Sequence, residues 1–151
     1  MSNTFEISHT SRNVLSTFLE NHTLEELNKV PDGFSNNLIW NIAHIIVVQQ
    51  MLVYKLSGLP MMVSDEMVEK FKRGTKPETD ISQEEVDQIR ELIFSTLEQS
   101  KEDFANDIFD QYMPFTTTTG FHVKSAHFAM EFSNYHEAMH LGVMMQIKKF
   151  I

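Results

Sequence analysis

Two histidines set four residues apart, His136 and His140, are the residues best placed to do chemistry. At 3.6 residues per turn, such a pair lies on one face of a helix, one ring above the other. The flanking apolar positions Ala129, Phe132, Met139, Val143 and Ile147 put that face toward the core. His44 falls in the most apolar stretch of the chain, on the side shared by Trp40, Val48 and Met51. Burying a neutral imidazole without a partner costs about 1–3 kcal/mol. Three inward imidazoles therefore need a compensating partner, and a divalent metal supplies one. Imidazole suits zinc, nickel, copper and iron(II), and three such ligands leave a position open for water or substrate.

The string His136-Glu137-Ala138-Met139-His140 also spells H-E-x-x-H, in which the glutamate is the general base of a zinc protease. The extended form of that signature is absent: Gly142 falls one place early, and Gln146 stands where a third histidine would be. Glu137 sits about 100° round the helix from His136. It is the candidate catalytic base or hydrogen-bonding partner of the ligands, or else a solvent-facing residue beside them. His9, His22, His122 and His127 read as surface or capping residues, with His122 and His127 nearest to a site mouth. No G-x-S-x-G elbow, Walker loop or dinucleotide glycine motif occurs. Thr116 to Thr119 reads as plain loop, and the 10 methionines as core gap-fillers.

Four long helices must position these residues. The first spans about 4–22, with Ile7, Val14, Leu15, Phe18 and Leu19 as its apolar stripe. Thr23-Leu24-Glu25-Glu26 is a capping-box pattern opening a short turn before Pro31. The second long helix runs from about Asn36 to Gly58-Leu59-Pro60, where Gly and Pro punctuate its end. Residues 59–81 form a long connection, a crossover or a lid, in which Met61, Met62, Val63, Met67, Val68 and Phe71 could form a short helix. Ser82-Gln83-Glu84-Glu85 caps the third helix, whose Val86, Ile89, Ile93, Leu97 and Phe104 face inward. A loop over 112–120 leads to the fourth helix, from about Val123 onward. The expected fold is all-α: one domain over 1–151, an up-and-down four-helix bundle with a long connection between the second and third helices.

Composition narrows the chemistry further. Cys 0 excludes disulfides, thiolate ligands and cysteine nucleophiles. A net charge of −9, most of it between Asp65 and Asp110, argues against a nucleic-acid partner, because phosphate neutralisation needs clustered Lys and Arg. The apolar stretch from Leu38 to Leu56 is broken by Asn41, His44, Gln49, Gln50 and Lys55, so it reads as a core helix rather than a membrane span. With no basic-then-apolar leader at the N-terminus, the expectation is a cytoplasmic protein.

Two segments carry a family resemblance. Asn37-Leu38-Ile39-Trp40-Asn41-Ile42-Ala43-His44 resembles the second-helix motif of the DinB-like proteins. Their superfamily includes bacillithiol S-transferases and mycothiol-dependent maleylpyruvate isomerase. Tyr135-His136-Glu137-Ala138-Met139-His140-Leu141-Gly142 resembles that family's H-x-x-x-H-x-G motif on the fourth helix. The resemblance extends over essentially the whole chain. It implies a four-helix bundle with a divalent metal, nickel or zinc foremost, on His44, His136 and His140. It also implies a homodimer, and either metal-dependent transfer of a low-molecular-weight thiol or hydrolysis. A non-catalytic dimer with a structural metal, or none, is the alternative. The family's thiol transferases use a basic residue for the acidic cofactor; here the fourth helix offers only Lys148 and Lys149.

Overall fold

In the computed structural model, residues 1–151 form six helices and one small hairpin. The helices are α1 (Ser2–Asn21), α2 (Leu24–Asn28), α3 (Leu38–Val53), α4 (Asp65–Phe71), α5 (Gln83–Ala105) and α6 (Ala126–Ile147). Strands β1 (Phe115–Thr116) and β2 (His122–Val123) pair antiparallel, Phe115 opposite Val123; β1 lies in the segment expected to be loop, and β2 takes up Val123, where the fourth helix was expected to begin.

Local chemistry sets most of the helix starts. Thr23 and Glu26 form a reciprocal capping box on α2, and Ser82 and Glu85 do the same on α5. The side chains of Asn37, Ser64 and Ser125 each accept a backbone N–H at the starts of α3, α4 and α6. After Val53 the chain tightens into a 3₁₀ turn, Lys55–Ser57, and leaves it through Gly58 at φ +70°, a left-handed position that glycine fills without strain.

The four long helices form a ring. α3 packs on α6 and on α5, and α1 packs on α5 and on α6. Successive long helices are therefore not always neighbours, as a simple up-and-down order would make them: α1 and α3 lie largely across the ring from each other. The 22–37 connection, which carries α2, is long enough to allow that crossing. The main core surrounds α3, whose Leu38, Ile39, Ile42, Ala43, Ile46, Val47 and Val53 are wholly buried. The stretch Leu38–Ser57 is long and apolar enough to cross a bilayer, but it is 83% buried by the rest of the fold.

Two helix faces differ from expectation. On α1 the expected Leu15, Phe18 and Leu19 are buried, but Ile7 is 58% exposed and the inward face also takes in Phe5, Ser8 and Arg12. On α6 the deepest positions are Ala129, Met130, Ser133, Glu137, Met144 and Ile147, while Met139 and Val143 are exposed. The face carrying His136 and His140 is thus the shoulder of the helix, half-buried, and the fully buried face centres on Glu137.

Candidate metal centre

α3 and α6 bring the three expected histidines together. His44, His136 and His140 each offer one ring nitrogen, and these atoms all lie within 4.8 Å of one another. The two Nε2 atoms of His136 and His140 are 3.2 Å apart. Two ligand nitrogens on a tetrahedral zinc, at about 2.0–2.1 Å from the ion, sit about 3.3 Å from each other. The donor set fits a divalent ion in type, and the His136–His140 pair fits it in spacing.

Two of the three rings, His44 and His140, are held in matched tautomers. His44 Nδ1 lies 2.6 Å from the carbonyl oxygen of Phe71, at the end of α4. A carbonyl only accepts, so Nδ1–H donates and the lone pair of the neutral ring is at Nε2. His140 Nδ1 lies 2.7 Å from Asn41 Oδ1. Asn41 has its amide nitrogen committed to Asn36 Oδ1 at 2.8 Å and to the Asn37 carbonyl at 2.7 Å, so its oxygen is the atom facing His140. The lone pair of His140 is again at Nε2. Such outer hydrogen bonds orient ligand rings and raise their basicity. Trp40 stacks on His44, with centroids 4.5 Å apart and planes 13° from parallel, and so restricts that ring further.

Electrostatics keeps the cluster neutral. Burial, then the charges that His140 and His44 would carry, push His136 down to about 3. Burial, then His44, push His140 down to about 4. Burial also lowers His44, opposed by its bond to Phe71. Neutral imidazole is the form that binds metal, so at pH 7 no proton has to be displaced from these rings.

A cavity of about 430 Å³ opens over the imidazoles. α3 contributes Trp40, His44, Val48, Met51 and Leu52, and α6 contributes Phe132, His136, Met139 and His140. The rim comes from Asn36, from Arg73 and Gly74 after α4, and from Phe115 and Thr117–Thr119 in the hairpin. The connection 59–81 and the threonine run thus have specific places beside the site. Arg73 and the threonines were not foreseen as site residues, because they reach the cavity only through long-range chain closure.

Glu137 does not face this cavity. It is 2% exposed, its Oε2 is 3.0 Å from Arg12 Nε on α1, and it makes no hydrogen bond to the histidines. The protease reading of H-E-x-x-H needs that carboxylate on the metal side; here it is drawn into the bundle interior. The remaining histidines lie elsewhere. His22 bonds the Phe18 carbonyl at the end of α1, His9 contacts Asn13, His122 contacts Thr116, and His127 packs on Phe104. None of the four lines the cavity.

No curated protein is similar enough in sequence to count as a relative. A family match does exist: residues 8–144 fit the DinB superfamily, a span that includes α3, the three histidines and most of α6. The chain belongs to the DinB superfamily.

Proposed function

We propose that His44, His136 and His140 hold a divalent metal ion, nickel or zinc, and that the cavity beside them receives a small-molecule substrate together with a low-molecular-weight thiol. The observation that supports this most directly is the convergence of three neutral imidazoles, two of which, His44 and His140, already have their outer nitrogens engaged at Phe71 and Asn41. A divalent ion bound there lowers the pKa of a coordinated thiol or water and so supplies a nucleophile near neutral pH.

The chain's own residues favour thiol transfer over hydrolysis. None of the cavity-lining residues is a carboxylate. Glu137 is committed to Arg12, so no acidic side chain stands ready to take a proton from an attacking water. A thiol needs less help, because its own pKa is already near 8.5. Trp40, Val48, Met51 and Phe132 form an apolar wall that limits water access. The reading includes a cytoplasmic setting, where such thiols are kept reduced. It also includes self-association: Tyr135, Met139 and Val143 form an exposed apolar stripe at helical spacing along α6.

The test has two parts. Elemental analysis and nickel titration of the purified protein are expected to give one ion per chain, with affinity lost in His44→Ala. Equal nickel affinity in His44→Ala and wild type would end the three-ligand reading. A panel of thiols and electrophiles, assayed with and without nickel or zinc, then separates transferase from hydrolase. If nothing in the panel turns over while metal still raises the melting temperature, the non-catalytic dimer is the better account.

A further inference from the structure

The cavity over the imidazoles is lined by 16 residues, none of them Asp or Glu, in a chain of net charge −9. Its one permanent cation is Arg73. The other two arginines are spoken for: Arg12 pairs with Glu137 and Arg90 with Asp87. Of the lysines nearest in sequence, Lys70 pairs with Glu85 and Lys72 with Glu69, and Lys76 does not line the cavity. Arg73 has no acidic partner among the ion pairs of the fold.

Its backbone is fixed from both sides. Two residues earlier, the Phe71 carbonyl accepts from His44. Two residues later, the Thr75 hydroxyl accepts from Trp40 Nε1 at 3.2 Å and shares its own hydrogen between the Lys70 and Lys72 carbonyls at the end of α4. Gly74, at φ +90°, makes the turn between them. The same two α3 side chains that frame the metal centre therefore place Arg73 at its rim. Across the mouth, the Thr117 and Thr119 hydroxyls bond each other, and Thr117 caps Phe121 N–H, which leaves Thr118 free to face a ligand.

We infer that this cavity selects an organic acid, and that Arg73 is the residue that binds its carboxylate, with the apolar body of the ligand against Val48, Met51 and Phe132. The inference rests on the proposal that the cavity is a ligand site, and it names the ligand's class. A guanidinium presents a planar fork that matches a carboxylate in two parallel hydrogen bonds. With no acid in the cavity to compete and a negative chain outside it, this cation is the local attraction that an anionic ligand would meet.

The test is calorimetric titration of the nickel-loaded full chain with 6-mercaptohexanoate and with 6-mercapto-1-hexanol, thiols of equal length that differ in one charge. Wild type is expected to bind the acid about tenfold more tightly, the value of one charge-assisted hydrogen-bonding contact. Arg73→Gln is expected to abolish that preference, Arg73→Lys to keep part of it, and Arg90→Gln to leave it whole. Any direct affinity of nickel for carboxylate is common to all four proteins and drops out of the comparison. A wild type without preference, or an Arg73→Gln that keeps it, overturns the inference. If the chain takes up no nickel, the metal reading fails separately, and the same pair titrated into metal-free protein decides this one by the same ratio.

Discussion

Arg12 and Glu137 meet in the bundle interior at 3.0 Å, Nε to Oε2, with side chains 2% and 3% exposed. Arg12 also donates to Gln49 Oε1 at 2.9 Å and, at 3.4 Å, to the Ile93 carbonyl. One guanidinium thus ties α1 to α3, α5 and α6, while Glu137 Oε1 has no partner within the chain. Removing one member of a buried pair strands the other charge and costs about 3–5 kcal/mol. Arg12→Met is expected to lose that much in urea unfolding, and Arg12→Met/Glu137→Met is expected to recover part of it. A double variant weaker than the single one would show that Glu137 is not stranded when Arg12 is removed.

Asn41 is expected to matter to the metal more than its distance from the ion suggests. Losing the partner that orients a ligand ring typically costs 10–100-fold in metal affinity. Asn41→Leu removes the acceptor for His140 Nδ1. Nickel titration should therefore show a loss of roughly that size, with the helical circular dichroism retained. Unchanged affinity would mean that the Asn41 bond does not govern the ligand ring.

Metal should stabilise the fold by mass action. At free nickel of about 100 times Kd the gain is about 2.7 kcal/mol. For a chain of this length that corresponds to a rise in melting temperature of about 5–10 °C. His136→Ala should melt at the same temperature with and without nickel. A shift that survives His136→Ala and His140→Ala would place the metal elsewhere.

Alkaline pH should weaken the region that carries the threonine rim. Burial pushes the Tyr112 hydroxyl up to about 12, and burial together with its bond to Asp103 raises Tyr54 as well. Tyr112 donates to the Leu52 carbonyl at 3.0 Å and so tethers the hairpin segment to α3. Both phenols ionise near 10 when unfolded and later when folded. Their contribution is therefore complete below about pH 10 and is lost as pH rises through about 12. Tyr112→Phe should flatten this alkaline decline in stability, read as the urea midpoint against pH.

The exposed stripe Tyr135, Met139 and Val143 should be covered in solution. Sedimentation velocity is expected to give a dimer, and Val143→Lys a monomer with unchanged helix content. A wild-type monomer at tens of micromolar, an association range typical of weak contacts, would remove the homodimer from the reading.

Much of this was legible in the sequence, for identifiable reasons. Both capping boxes, Thr23–Glu26 and Ser82–Glu85, are local and closed as written. The histidine cluster was legible because an i, i+4 pair and one histidine in an apolar helix leave few ways to satisfy three rings. The inward faces of α1 and α6 were read only in part, with Ile7, Met139 and Val143 wrongly placed inward, because each face includes a charge. A stripe counted in apolar residues cannot see that Arg12 and Glu137 neutralise each other across the core. Arg73 and the Phe71 carbonyl were invisible for another reason. One arrives by long-range closure of an irregular connection, and the other is a backbone atom, which no side-chain pattern encodes.

The bond from His44 to the Phe71 carbonyl gives the order of assembly a chemical meaning. While α4 is undocked, the neutral ring of His44 can carry its proton on either nitrogen, and one of the three ligands is undecided. Docking of α4 selects one tautomer and turns a histidine in a greasy helix into a donor. The docking of α4 on α3 would then act as a checkpoint: a chain with that connection misplaced would present the right residues and the wrong lone pair. Metal loading would follow tertiary completion rather than drive it.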